Sequence, residues 1–128
     1  MKVGFTTQDL ARVDAHFGWA RHLLLYEVSA EGWVLLQNVA FDEGLVADGD
    51  PAKLEPRLAA LDGCTLLFTA GIGPEGELGC ARRRVVPLLR FAQQPVAAAL
   101  EALRDGLRRD PPAWLRRCEQ ACRRSPVP

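Results

Sequence analysis

The sequence predicts an α/β fold with a mixed sheet, in which antiparallel N-terminal strands precede parallel strands linked by helices. Three observations predict it. Two strand-like runs, His22 to Val28 and Trp33 to Val39, are separated by Ser29-Ala30-Glu31-Gly32, a short glycine-containing loop of the kind that closes a β-hairpin. Downstream, strand-like runs alternate with segments whose apolar residues recur at helical spacing, the pattern of parallel strands joined by right-handed crossovers. With 128 residues and 48% hydrophobic content, the chain is long enough for one compact domain and too short for two.

Taken in order, Lys2 to Thr6 reads as a short strand and Thr7 to Gly18 as a polar turn. The hairpin follows. Phe41 to Pro51 carries Gly44, Gly49 and several acids and reads as a loop, with Asp50-Pro51 as a helix N-cap and a proline at the first helical position. Leu54, Leu58 and Leu61 then recur at helical spacing up to Asp62-Gly63, a C-terminal stop. The run Cys64 to Ala70 is almost wholly apolar and fits a buried central strand. Gly71-Ile72-Gly73-Pro74-Glu75-Gly76 leads into a helix through Arg83, and Val85 to Phe91 gives another strand. After Gln94-Pro95, Val96, Leu100, Leu103 and Leu107 form the apolar side of an amphipathic helix, with Glu101, Arg104, Asp105 and Arg108 opposite. Asp110-Pro111-Pro112 ends it, Ala113 to Arg124 suits a short basic helix, and Ser125 to Pro128 a frayed end.

The expected organisation is therefore an α/β domain over residues 1–110 and a basic C-terminal segment over 111–128. This order of elements resembles a ribonuclease H-like architecture. A nuclease on that architecture needs clustered carboxylates to hold two magnesium ions, and the first strand contains none, so nuclease activity is not expected.

No apolar run approaches the roughly 20 residues that cross a bilayer, and Met1 to Phe5 enters a strand pattern without a signal-peptide core. A cytoplasmic protein with no membrane partner is expected. Cys64, Cys80, Cys118 and Cys122 form no CxxC pair, so free thiols are expected in place of a disulfide scaffold or zinc ribbon. The formal net charge of zero hides an asymmetry: residues 1–81 carry 5 Lys/Arg against 12 Asp/Glu, and residues 82–128 carry 11 Arg against 4 Asp/Glu. The basic half suits an anionic ligand or an acidic protein surface. It lacks interleaved aromatics or a recognisable nucleic-acid motif, and no nucleic-acid partner is expected.

The most informative segment is Arg12-Val13-Asp14-Ala15-His16-Phe17-Gly18, which sets one of two histidines in a polar turn beside a glycine. An imidazole there is free to meet a ligand and binds borderline-soft metals, although a lone histidine in a turn is also an ordinary surface residue. Gly71-Ile72-Gly73-Pro74-Glu75-Gly76 is a literal GxGxxG between a strand and a helix, where backbone N–H groups can face an anion. The acid that a dinucleotide site requires about 20 residues on is missing from Phe91 to Val96, which excludes a Rossmann enzyme and leaves an anion-facing loop. Cys80 precedes Arg82-Arg83-Arg84; arginines and a helix N-terminus would favour its thiolate, while a small buried cysteine on a helix face is the structural alternative. Cys118 and Cys122, four apart, would share one helix face without a third ligand nearby. No Ser-His-Asp or Cys-His order marks a hydrolase, Thr6-Thr7 reads as turn chemistry, and no enzyme activity is expected.

Three patches carry a resemblance. Lys2-Val3-Gly4-Phe5-Thr6-Thr7, then Arg12 through Ala20 around His16-Phe17-Gly18, then Tyr26-Glu27-Val28 resemble the opening of the nitrogenase iron-molybdenum cofactor-binding family of the NifX and NafY type, which also forms the C-terminal domain of NifB. Thr69-Ala70-Gly71-Ile72-Gly73-Pro74 is similar to that family's glycine loop, although Ile-Gly-Gly-Pro is the commoner order there. Asp110-Pro111-Pro112-Ala113-Trp114-Leu115 is similar to the Pro-Pro-Trp-Leu close of its NifX-like members, with Trp114 as a packing anchor.

The resemblance spans Met1 to about Arg117 and implies a ribonuclease H-like, non-catalytic carrier. Such a carrier binds the iron-molybdenum cofactor or its iron-sulfur precursor and passes it among the biosynthetic scaffold, the precursor-synthesising enzyme and apo-dinitrogenase. A bulky anionic cluster that must be released needs one or two exchangeable iron ligands and a positive rim. His16 and Cys80 are the candidate ligands, with Gly71 and Gly73 amides and Arg82, Arg83 and Arg84 screening charge. The rival reading is an interaction module whose basic half docks nitrogenase assembly components without binding a cluster.

Overall fold

The computed structural model describes residues 1–42 and 51–109. Within them run β1 (Lys2–Thr7), β2 (His22–Ser29), β3 (Gly32–Ala40), α1 (Leu54–Ala60), β4 (Leu66–Phe68), α2 (Pro74–Arg82), β5 (Val86–Leu88) and α3 (Val96–Arg108). The expected Asp50 cap, the Asp110-Pro111-Pro112 stop, the basic helix with Trp114, Cys118 and Cys122, and the frayed end all lie outside the described residues.

The strands form one sheet in the order β3-β2-β1-β4-β5. β2 runs antiparallel to both β1 and β3, β4 runs parallel to β1, and β5 parallel to β4. The expected mixed sheet, with its hairpin first and its parallel strands later, is the one observed.

Side-chain alternation along the strands divides the core into two layers. Val3, Phe5, Leu24, Val28, Leu66 and Phe68 face one way, against Val96, Ala99, Leu100 and Leu103 of α3. Phe5 stacks on Phe68 with ring centroids 5.0 Å apart and meets Tyr26 edge-on. Leu23, Leu25 and Leu67 face the other way, against Leu58 of α1, Leu61 just beyond it and Cys80 of α2. Gly63, with φ +80, supplies the left-handed residue that lets the chain leave α1 for β4.

The parallel strands are shorter than their apolar runs. Thr69 still donates its N–H to Leu88 O of β5 at 3.1 Å, and beyond it the backbone bonds to a crossing loop: Ala70 donates its N–H to Ala15 O at 3.1 Å, and Phe17 donates to Gly71 O at 2.8 Å. β5 stops at Leu88 in a turn in which Ala92 donates to Leu89 O, and its Pro87 is tolerated because the strand lies at the sheet edge. No helix among the described residues is long and apolar enough to cross a membrane.

Candidate functional site

The loop between β1 and β2 is fixed along its length. Val13 donates to Gln94 O and accepts from Gln93 N–H, both at 2.9 Å, and Val96 donates to Ala11 O at 2.8 Å. Asp9 Oδ1 accepts the N–H groups of Ala11 and Arg12, and Asp14 Oδ1 accepts that of Gln8. These bonds hold Leu10 in a left-handed conformation, φ 66, at the exposed tip. Beneath the loop, the buried hydroxyls of Thr6 and Thr69 lie 2.8 Å apart, and both reach the carbonyl of Ala15. The Thr6-Thr7 pair is therefore turn chemistry: Thr7 Oγ1 sits 3.2 Å from the carboxylates of Asp9 and Asp14.

The loop thus carries His16 over the glycine turn that follows β4, at the C-terminal ends of the parallel strands, where α/β sheets commonly place ligands. Three contacts set its half-buried ring. Nδ1 accepts the Gly18 N–H at 3.0 Å, capping the short 3-10 turn Phe17–Trp19. Trp19 stacks on the imidazole with centroids 3.8 Å apart and planes 2° from parallel. The third contact is Gly71, where a Cβ would fall 2.8 Å from His16 Cδ2, so any other residue would displace the ring. Burial pushes the imidazole pKa below its ordinary value. No hydrogen-bond partner of Nε2 is found among the described residues.

The remaining candidates divide. The structure brings Gly71 against His16. Gly73 is the N-cap of α2 with open space where a Cβ would lie, but Glu75 and Glu77 occupy the first turn of that helix and oppose an anion there. Cys80 is not at the site. It lies in the second half of α2, fully buried in the core layer with Leu58, Leu61 and Cys64, and burial pushes its thiol up to about 11. The expectation of a favoured thiolate at a helix N-terminus is corrected: Arg83 opposes the desolvation only in part. Arg82, Arg83 and Arg84 stand exposed at the C-terminal end of α2, about 12 Å along the helix from Gly73, so they do not form a rim around His16. Arg83 reaches Glu55 at 3.5 Å.

Sequence reasoning missed two residues. Trp19 carries no motif of its own, and only its stacking shows that it belongs to His16. Arg57, inside α1, is buried beneath the loop, donates through Nη2 to Ala20 O at 2.7 Å and through Nη1 to Lys53 O at 3.0 Å, and packs its guanidinium on Phe41 at 4.5 Å. It ties the end of the His16 turn to the helix below. Among the described residues no three of His, Cys, Asp and Glu gather as a metal site.

The family model described as dinitrogenase iron-molybdenum cofactor matches residues 1–106. Protein NifX of Herbaspirillum seropedicae is 38% identical over 120 residues, covering 94% of this chain and 82% of that protein. Protein NifX of Azotobacter vinelandii is 34% identical over 123 residues, covering 96% and 77%. The FeMo cofactor biosynthesis protein FixZ of Rhizobium leguminosarum is 30% identical over 86 residues, covering 66% of this chain and 17% of that protein. The crystal structure of PH0822 superposes with a TM-score of 0.56 at 19% identity, covering 83% of this chain and 92% of that one, a likeness of fold. The residues that hold His16 in place lie within the matched span, and the chain belongs to the dinitrogenase iron-molybdenum cofactor family, among its NifX-type members.

Proposed function

We propose that this chain is a non-catalytic carrier that binds the nitrogenase iron-molybdenum cofactor or its iron-sulfur precursor during cofactor biosynthesis and passes it between assembly proteins. The observation that carries the reading is His16, set by Trp19, Gly18 and Gly71 at the end of the parallel strands with Nε2 left to meet a ligand. A single exchangeable side chain suits cargo that must be released. The printed names of the relatives, NifX and a FeMo cofactor biosynthesis protein, support the same biosynthetic setting. The reading is of a cytoplasmic protein whose partners are the biosynthetic scaffold, the precursor-synthesising enzyme and apo-dinitrogenase. It takes the fold as ribonuclease H-like, supported by the strand order with β2 antiparallel to its neighbours. It assigns cargo contact to His16 and the Gly71–Gly73 loop, and leaves Cys80 to the core.

The test is an anaerobic titration of the apo-protein with isolated cofactor and, separately, with its iron-sulfur precursor, followed by visible absorption and bound iron. Near-stoichiometric uptake is expected, falling at least about tenfold in affinity in His16→Ala and unchanged in Cys80→Ala. Uptake that is normal in His16→Ala would remove His16 from the site. The second reading, a docking module without cargo, is favoured by one observation: the exposed arginines at the far end of α2 stand apart from His16. Absence of uptake of either cluster would leave that reading standing.

A further inference from the structure

β3 is an edge strand, and its nine residues from Gly32 to Ala40 contain no charge. Edge strands of native proteins usually carry lysine, proline or an inward charge that keeps other chains away. Here Val34, Leu35 and Leu36 stand 64%, 50% and 52% exposed. The register assigns their faces. Trp33 lies opposite Val28 and Leu35 opposite Tyr26, so both belong to the α3 side of the sheet, whereas Val34, opposite Glu27, belongs to the other.

One helix is too narrow for the α3 side. Five strands at a spacing of about 4.8 Å place the outer two about 19 Å apart, and a helix with its side chains is about 10 Å across. α1 and α2 share the opposite layer, while α3 alone of the described helices serves this one.

The end of α3 lies where the gap is. Arg104 sits over the Trp33 ring at 5.4 Å, and Arg108 donates through Nε to Ala30 O in the hairpin loop. Residues 110–128 therefore leave α3 beside the start of β3. Their sequence sets Trp114, Leu115, Cys118, Ala121 and Cys122 at i, i+1, i+4, i+7 and i+8, one apolar side of a helical pattern, with Arg116, Arg117, Arg123 and Arg124 opposite. Extended chain from Arg109 to Trp114 reaches about 17 Å, more than the about 10 Å from Trp33 to Leu36 along the strand.

We propose that the apolar side of residues 113–124 docks on the α3 side of β3, covering Trp33 and Leu35 as a second helix of that layer. A bulge favours this occupant over a second copy of the chain. Leu36 is the extra residue between the pairs Leu25–Gln37 and Tyr26–Leu35, and a bulge bends an edge strand away from further pairing while leaving its side chains to be covered. The proposal does not depend on the carrier reading.

The test uses the full chain labelled with 5-fluorotryptophan, its three fluorine signals assigned by Trp19→Phe, Trp33→Phe and Trp114→Phe. In the wild type the Trp114 signal should be shielded from a soluble gadolinium chelate. Leu35→Glu and, independently, Leu115→Glu should release the ring and raise its relaxation enhancement about threefold or more, as loss of a large aromatic burial requires. Leu89→Glu, at an exposed position beyond the opposite edge strand, should leave Trp114 shielded. A Trp114 signal as accessible in the wild type as in Leu35→Glu, or an equal response to Leu89→Glu, would overturn the proposal. Light scattering across a dilution series separates the remaining occupant: a monomer that keeps Trp114 shielded supports docking within one chain. Shielding that disappears as a dimer dissociates would assign the strand to a second copy and overturn it.

Discussion

His16 is neutral in the fold for a reason that fixes the sign of its pH dependence. Burial lowers its pKa, so the unfolded chain, with an ordinary imidazole, takes up a proton first as pH falls. The contribution of His16 to stability is complete above the unfolded pKa near 6.5 and is lost as pH drops below it through the folded value. Urea unfolding midpoints measured from pH 7.5 to 5.5 should therefore fall more steeply in the wild type than in His16→Ala; parallel slopes would refute the assignment. Cys80 makes the opposite lesson of the same physics. Its raised pKa and full burial predict that iodoacetamide leaves it unmodified in the native protein and alkylates it after unfolding. Cys80→Ala should cost about 1–2 kcal/mol of stability while cargo uptake stays at the wild-type level. His16 was legible as a candidate because its turn is polar and glycine-flanked. The sequence leaves Cys80 open between a thiolate ligand and a small buried cysteine, because three arginines adjacent in sequence say nothing about which way a helix rotates its sulfur.

At the scale of elements, α2 shows where local pattern ended and packing began. Its start at Gly73-Pro74 is readable from the glycine-proline sequence, and the glycines in and just before it serve separate contacts: Gly71 in the preceding loop admits His16, Gly76 lies under Ile72, and Gly79 lies against Leu58. A Cβ at Gly79 would come 2.5 Å from Leu58 Cδ1, and Leu58 of α1 is itself buried against the sheet and α2. Gly79→Ala should gain up to about 1 kcal/mol of helix propensity and lose more to overpacking, for a net destabilisation of about 1–2 kcal/mol in chemical denaturation. A neutral or stabilised variant would show that α1 moves freely over α2. The literal GxGxxG thus serves packing at Gly71 and Gly76, which spacing alone cannot separate from a ligand loop. The shortened β4 has the same origin: apolar residues from Cys64 to Ala70 announced a buried strand, but the bonds from Ala70 and Gly71 to the crossing loop ended the ladder at Phe68.

Across the whole molecule, one sheet supports two hydrophobic layers, and β2 and β4, on either side of the central β1, contribute to both. Damage to either layer should then be felt by the same cooperative unit. Leu103→Ala on the α3 side and Leu58→Ala on the α1 side should each lower the single unfolding midpoint, by about 2–5 kcal/mol in stability, with fluorescence and far-ultraviolet dichroism still coincident. Two separated transitions in either variant would show that the layers fold independently. The Arg82 to Arg84 cluster lies at the end of α2 remote from His16, and so cannot act as the rim that its place in the sequence suggested.

Hairpin, crossover order and the identity of the core-facing helix side follow from the sequence by itself, because periodicity and turn chemistry are local properties that burial selects directly. The His-Phe-Gly turn and the glycine loop were visible for the same reason. Only the tertiary structure decided that Gly71 exists to admit His16, that Trp19 holds its ring, that Gly18 claims Nδ1 and that Cys80 belongs to the core. Each of these depends on which groups from distant segments approach within a few ångströms, and that distance is set by packing of the loops over the strand ends, which no spacing along the chain encodes.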